Sequence, residues 1–183
     1  MSMIGYTLLN EIVVNRNILS PVDIFLTLND ELNLIFSRNQ FSIEDVDEGM
    51  DITIAVYNTD NNMVEIASAM QNFFIVKNGK VDVYKGDIFS IGGYISRMKM
   101  PVYNSHFFIA EKGMRLFMSS DGLIDQFGKE MNDKFGVDRF ENLLANTSNL
   151  DINRQFEEIS KVFDEWKGSQ EQLDDILIMG IEF

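Results

Sequence analysis

The spacing of apolar positions changes three times along the chain. Met1 to Asn15 is largely apolar with no breaker and predicts a helix from its first residue. Ser20-Pro21 is a helix start, with serine as cap and proline at the first helical position. Phe25, Leu28, Leu32 and Ile35 then recur at helical spacing, as a core stripe would. From Met50 the period becomes two. Ile52 to Tyr57 and Met63 to Ser68 predict strands around the turn at Asn58 to Asn62, and Phe73 to Val76 and Val81 to Tyr84 predict a second pair. Asn78-Gly79 between them is a strong hairpin signal. Ile91-Gly92-Gly93 interrupts the pattern, and Tyr94 to Pro101 reads as a loop. His106 to Ala110 predicts a strand that Glu111-Lys112-Gly113 turns into Met114 to Ser119. Helical spacing returns in Val137 to Ala145 and in Asp151 to Trp166, which Gly168 closes. The last segment, Gln172 to Ile181, is two aspartates feeding a strand. That strand is apolar on both faces and is therefore predicted to be central. Helices, strands, helices and a strand give an α+β architecture with mainly antiparallel pairing, in packed layers.

Composition narrows the chemistry. The chain has 183 residues, enough for one domain with a sizeable core, and no repeat or linker divides it, so residues 1–183 are read as one domain. It carries 29 acidic against 15 basic residues, a net charge of −14, and this argues against nucleic acid and anionic membrane surfaces, which need a basic footprint. Phe41 to Gly49 is the most acidic stretch, with Glu44, Asp45, Asp47 and Glu48, and reads as a solvated loop that matches no calcium-loop spacing. There is no cysteine, so disulfides, thiolate chemistry and cysteine-ligated zinc are excluded. No apolar run approaches the roughly 20 residues of a membrane helix. The N-terminus lacks the basic start and cleavage site of a signal peptide, and a cytoplasmic protein fits best.

The stretch with the most chemistry is Leu116 to Gly128. An apolar strand ends in Ser119-Ser120, and Asp121-Gly122 follows. A carboxylate at a strand end is held at a fixed angle yet stays wet, and a glycine beside it lets a ligand approach the backbone. Asp-Gly is equally the dipeptide of an ordinary turn. Far along the chain, Asp174-Asp175 precede the last strand, where their plainer role is a charged strand edge that deters aggregation. If the two strands are antiparallel neighbours, these carboxylates converge at one rim. Converging aspartates repel unless a cation lies between them, and all-oxygen ligation selects hard ions such as Mg²⁺ or Mn²⁺. Other schemes fare worse. The lone His106 lies among Phe107 and Phe108 in a strand, a place for a half-buried structural residue, and Ser119 and Ser120 have no base placed for a triad. No glycine-rich phosphate loop is present.

Several motifs resemble the SpoIIE-type branch of the metal-dependent (PPM) serine/threonine protein phosphatases. They are Ser119-Ser120-Asp121-Gly122 with Asp125-Gln126-Phe127-Gly128, Trp166-Lys167-Gly168 with Gln172-Leu173-Asp174-Asp175-Ile176-Leu177, and Gly49-Met50-Asp51, Asn78-Gly79 and Ile91-Gly92-Gly93 at their relative positions. The resemblance runs over essentially the whole chain. It implies an α-β-β-α sandwich with a metal cluster at one end of paired sheets. It implies hydrolysis of phosphoserine or phosphothreonine on a regulatory protein by a metal-bound water, with two Mn²⁺ or Mg²⁺ ions. Asp121 and Asp174 match metal ligands, Asp175 the position of a neighbouring one, and Gly122 lies near the site. An upstream sensory domain acting through helices such as Met1 to Phe36 is implied as well.

One departure stands out. The family carries an Asp-x-x-Gly-His-Gly motif whose aspartate bridges the two metals, and nothing in this chain matches it. The expectation is a C-terminal portion lacking the first strands, in which Met1 to Asn15 packs poorly and exposes an apolar patch that favours a homodimer. The rival expectation is a non-catalytic phosphatase-like regulatory or docking module.

Overall fold

The structure is a computed structural model and describes residues 2–38, 49–93, 99–129 and 133–183. The acidic stretch Glu44 to Glu48 lies outside the described residues, as does the first part of the loop from Tyr94. The chain folds as two compact units, Met1–Gln71 with Lys85–Ala110, and Asn72–Tyr84 with Glu111–Phe183.

Among the described residues the first unit is two helices and a three-stranded antiparallel sheet. Helix α1 (Ser2–Asn10) runs on into one π-helical turn, Glu11–Asn15, before α2 (Pro21–Arg38). The predicted start of α2 is correct, but its serine does not cap with its side chain. The Ser20 carbonyl accepts from the Ile24 N–H at 2.9 Å, while the hydroxyl turns to Glu65. Strands β1 (Ile52–Asn58), β2 (Met63–Ala69) and β5 (Ser105–Ile109) pair in the order β1-β2-β5. Phe25, Leu28 and Leu32 of the helical stripe are fully buried, in one cluster with Ile12, Ala67, Ala69 and Ile91. The expectation for the first helix is met on one face only. Ile12 is buried and Leu8, Leu9 and Val13 pack against the core, whereas Met3, Tyr6 and Val14 are exposed. Two motif segments meet here, for Met50 and Ile91 exchange backbone hydrogen bonds of 2.8 and 2.9 Å.

Among the described residues the second unit is a four-stranded antiparallel sheet with three helices. Strands β3 (Phe73–Lys77), β4 (Lys80–Tyr84), β6 (Arg115–Ser119) and β7 (Ile178–Glu182) pair in the order β4-β3-β6-β7. Asn78 and Gly79 have φ of +52° and +78°, the two left-handed residues of a type I′ turn, as their sequence predicts. The helices are α3 (Asp121–Asp125), α4 (Gly136–Thr147) and α5 (Ile152–Lys167). Asp151 caps α5 by accepting from the Arg154 N–H at 3.1 Å. Phe140, Leu143, Leu144, Ile159 and Phe163 of α4 and α5 cluster with Phe74, Val76 and Phe117 of the sheet. At roughly 1.5–3 kcal/mol per buried large apolar side chain, that cluster is the main stabilising term of the unit.

Two sequence expectations need correction. Glu111 to Gly113 does not join a hairpin; it carries the chain from the three-stranded sheet to the four-stranded one. The ends of the two strands are tied elsewhere, Ala110 N–H to the Asn62 carbonyl and Gly113 N–H to the Phe183 carbonyl. The last strand is not central. Among the described residues β7 pairs with β6 alone, and Met179 is 47 % exposed. Part of its apolar, small-residue character serves packing on β6: a Cβ at Gly180 would lie 2.8 Å from the Phe117 ring. The strand also begins at Ile178, so Asp174 and Asp175 sit in the connection ahead of it, not at its first residue.

Candidate functional site

Strand β6 places its C-terminal end, and with it Asp121, beside the start of β7. Ser119 pairs with Ile178, and the Ser120 N–H donates to the Leu177 carbonyl at 3.0 Å, extending the ladder by one residue. The expected adjacency of the two strands is therefore present. Asp121 is not in a turn, however. It is the first residue of α3, with Ser120 extended at the cap position (φ −68°, ψ 163°). A carboxylate in the first helical turn is favoured by the helix dipole, which accounts for part of the choice of aspartate here.

The Asp174–Asp175 connection packs directly on this corner. A Cβ added to Gly122 would lie 2.5 Å from the Asp175 carbonyl oxygen and 3.3 Å from the Asp174 carbonyl carbon. Glycine is needed at that position because the two backbones touch. Asp121, Asp174 and Asp175 are all exposed. The Asp174 carboxylate accepts from the Asp175 N–H at 2.7 Å, and this fixes the bend between them.

The other motif residues frame the same corner. Gln126, which follows α3, is 1 % exposed and donates from Nε2 to the Glu171 carbonyl at 2.9 Å. Its own carbonyl accepts from the Phe135 N–H at 2.9 Å and from the Trp166 indole N–H at 3.2 Å. Gly128 lies under the Trp166 ring, where a Cβ would come within 2.7 Å. His106 sits in β5, half-buried, as a structural histidine would.

Sequence reasoning named the aspartates and missed what holds the connection that carries Asp174 and Asp175. It weighed Ser120 only as a nucleophile. In the structure its hydroxyl donates to the Asp175 carbonyl at 2.8 Å and accepts from the Leu177 N–H at 2.9 Å. The available signal was a second hydroxyl residue at the end of an apolar strand, directly before the aspartate.

The donor set suits a hard divalent ion in kind, since it offers carboxylate and backbone oxygens and no sulfur. Among the described residues no group of three His, Cys, Asp or Glu side chains is arranged to hold an ion by itself. Asp121, Asp174 and Asp175 would thus supply part of a coordination shell. Ions such as Mg²⁺ usually keep several waters in the remainder.

Among solved structures, the SiaA-PP2C domain of Pseudomonas aeruginosa superposes with a TM-score of 0.82 at 21 % identity, over 99 % of this chain and 68 % of that one. The phosphatase domain of SpoIIE from Bacillus subtilis, presoaked with Mn, superposes with a TM-score of 0.58 at 13 % identity, over 97 % of this chain and 72 % of that one. With a fragment of its regulatory domain the score is 0.70 at 14 % identity, over 98 % and 48 %. RsbX in complex with magnesium gives 0.59 at 18 % identity, over 96 % and 71 %. No curated protein matches the chain. The fold is that of the PP2C phosphatase domains: α+β with antiparallel sheets. The family model described as Stage II sporulation protein E (SpoIIE) matches residues 1–183, and the chain belongs to that family of PP2C-type phosphatase domains.

Proposed function

We propose that this domain hydrolyses phosphoserine or phosphothreonine on a regulatory protein with the help of Mn²⁺ or Mg²⁺, and that Asp121 and Asp174 are the ion ligands this chain supplies, with Asp175 beside them. The observation that carries the reading is the contact of the two acidic backbones at the β6–β7 rim, where Gly122 leaves no room for a side chain against Asp175. Ions held there by Asp121 and Asp174 would supply a lowered pKa for a water and positive charge opposite a phosphoryl group. The residues present have separate tasks. Asp121 and Asp174 supply negative charge at a wet rim, Gly122 admits close approach, and the hydrogen bonds of Ser120 and Gln126 keep the connection in place. No protein nucleophile is needed, which suits a chain with no cysteine and one histidine.

The relatives support the cofactor and partner parts of the proposal: one was presoaked with Mn, one holds magnesium, and one carries a fragment of a regulatory domain. By analogy the partners are a phosphorylated regulatory protein and an upstream sensory domain, with a cytoplasmic site of action. None of the described helices is long and apolar enough to cross a membrane. The exposed Met3, Tyr6 and Val14 of the first helical segment offer a surface for a second copy. A second reading, a non-catalytic regulatory or docking module, draws on the lack of three convergent ligands among the described residues. Phosphate release from phosphoserine and phosphothreonine peptides, in Mn²⁺, in Mg²⁺ and in EDTA, separates the two. The enzyme reading expects metal-dependent release; no release in any metal leaves the module.

A further inference from the structure

We propose that Ser120 and Gln126 are positioning residues forming a two-point clasp that sets the distance between Asp121 and the Asp174–Asp175 pair, and thereby the affinity of the rim for a divalent cation. The inference rests on the metal reading above. Its basis is that α3, five residues long, carries Asp121 at its start and is flanked at each end by a side chain that reaches the same connection. Ser120 precedes it and holds the Asp175 carbonyl and the Leu177 N–H, at 2.8 and 2.9 Å. Gln126 follows it and holds the Glu171 carbonyl, at 2.9 Å. Asp174 lies between these two anchor points, and Asp175 carries one of them.

Each clasp residue is used at some cost. A serine at a helix start ordinarily accepts from a backbone N–H of the first turn. Ser120 makes no such cap bond, because its hydroxyl is committed to Asp175 and Leu177. Gln126 is buried with its Oε1 lacking a hydrogen-bond partner among the described residues, although burying an unpaired amide oxygen is unfavourable by about 1–3 kcal/mol. Local stability alone would favour a serine that caps the helix. Geometry at the connection is what both side chains do supply.

The test uses the full chain and Mn²⁺ alone, titrated by electron paramagnetic resonance, with the same proteins followed by amide hydrogen exchange and thermal unfolding. Ser120→Ala and Gln126→Met are each expected to weaken Mn²⁺ binding about tenfold, the usual effect of losing a partner that orients a ligand. Ser120→Thr, which keeps the hydroxyl, should restore affinity to near the wild-type value. Gln126→Met should leave the unfolding temperature nearly unchanged, because it also removes the unpaired Oε1. In Ser120→Ala the Leu177 amide should exchange faster without metal. Wild-type binding with unchanged affinity in both variants would overturn the clasp and leave the metal reading intact. No Mn²⁺ binding by the wild-type chain would overturn the metal reading, and the claim on affinity with it. Unaltered Leu177 exchange in Ser120→Ala would refute the clasp whatever the metal does.

Discussion

Arg115 opens the strand whose far end carries Asp121, and its removal should loosen the whole second unit. The side chain is nearly buried, at 7 % exposure, and its guanidinium makes four hydrogen bonds. Nε donates to the Glu182 carboxylate of β7, Nη1 to the Ser148 carbonyl at 3.2 Å and to Gln155 Oε1 at 2.6 Å, and Nη2 to the Leu150 carbonyl at 2.7 Å. One residue thus joins β6, β7 and the α4–α5 connection. Arg115→Met keeps much of the stem and deletes every donor. Glu182 is 39 % exposed at its side chain and water can replace its partner, so little is lost there. Gln155 is fully buried and loses the partner of its Oε1, while the Ser148 and Leu150 carbonyls are partly buried. At about 1–3 kcal/mol for each stranded acceptor, discounted for the two that water reaches, the expected loss is about 3–5 kcal/mol. Gln155 also donates to the Leu144 carbonyl and to Thr147 Oγ1, so Gln155→Leu is damaging by itself. In the Arg115→Met background it removes a stranded acceptor, and the double variant should be less destabilised than the sum of the singles by about 1–2 kcal/mol. Urea unfolding of the four proteins measures this. A loss below about 1 kcal/mol for Arg115→Met, or strict additivity, would refute the reasoning.

Two further substitutions test other parts of the structure. Gly122→Ala should displace the Asp174–Asp175 connection, because its Cβ meets the Asp175 carbonyl at 2.5 Å; metal-dependent phosphate release should fall at least about tenfold, and full activity would show that the connection moves freely. Tyr103→Phe should be neutral or stabilising by up to about 1 kcal/mol, since the hydroxyl is buried without a hydrogen-bond partner among the described residues. Burial, aided by the negative charge of Asp87, pushes the Tyr103 phenol above its ordinary value of 10.0. The unfolded chain therefore ionises first, and wild-type stability should decline above about pH 10 more steeply than that of the variant. A lower unfolding temperature for Tyr103→Phe at pH 7 would contradict this.

Strong local signals in the sequence were legible as structure. The period-two runs and Asn78-Gly79 read correctly because the type I′ turn demands left-handed residues and little else satisfies it. The helical stripes of α2, α4 and α5 read correctly because each buries one face. What failed was pairing. Composition could not tell that the strand after Gly113 joins a different sheet, because backbone ties from Gly113 to Phe183 and from Ala110 to Asn62 decide it. Nor could it tell that β7 has one partner, since Gly180 answers to the Phe117 ring opposite it. At the site, the adjacency of β6 and β7 followed from two apolar strands flanked by acids. The hydrogen bonds from Ser120 and Gln126 did not, because they depend on the path of a connection that no periodicity encodes.

The central claim is that Asp121 holds a divalent ion, and Asp121→Asn tests it most directly through unfolding temperature and phosphopeptide hydrolysis, each measured with and without Mn²⁺. Asparagine keeps the shape and removes the charge. Mn²⁺ at a hundred times its dissociation constant should stabilise the wild-type chain by about 2.7 kcal/mol, a rise of about 5–10 °C for a chain of this size. The variant should show a much smaller rise and lose metal-dependent hydrolysis. Without metal it should unfold at the same temperature or slightly higher, because carboxylates gathered at one rim repel one another when no ion lies between them. Equal Mn²⁺ stabilisation and equal hydrolysis in the two proteins would contradict the account and leave Asp121 as the first residue of a short helix and nothing more.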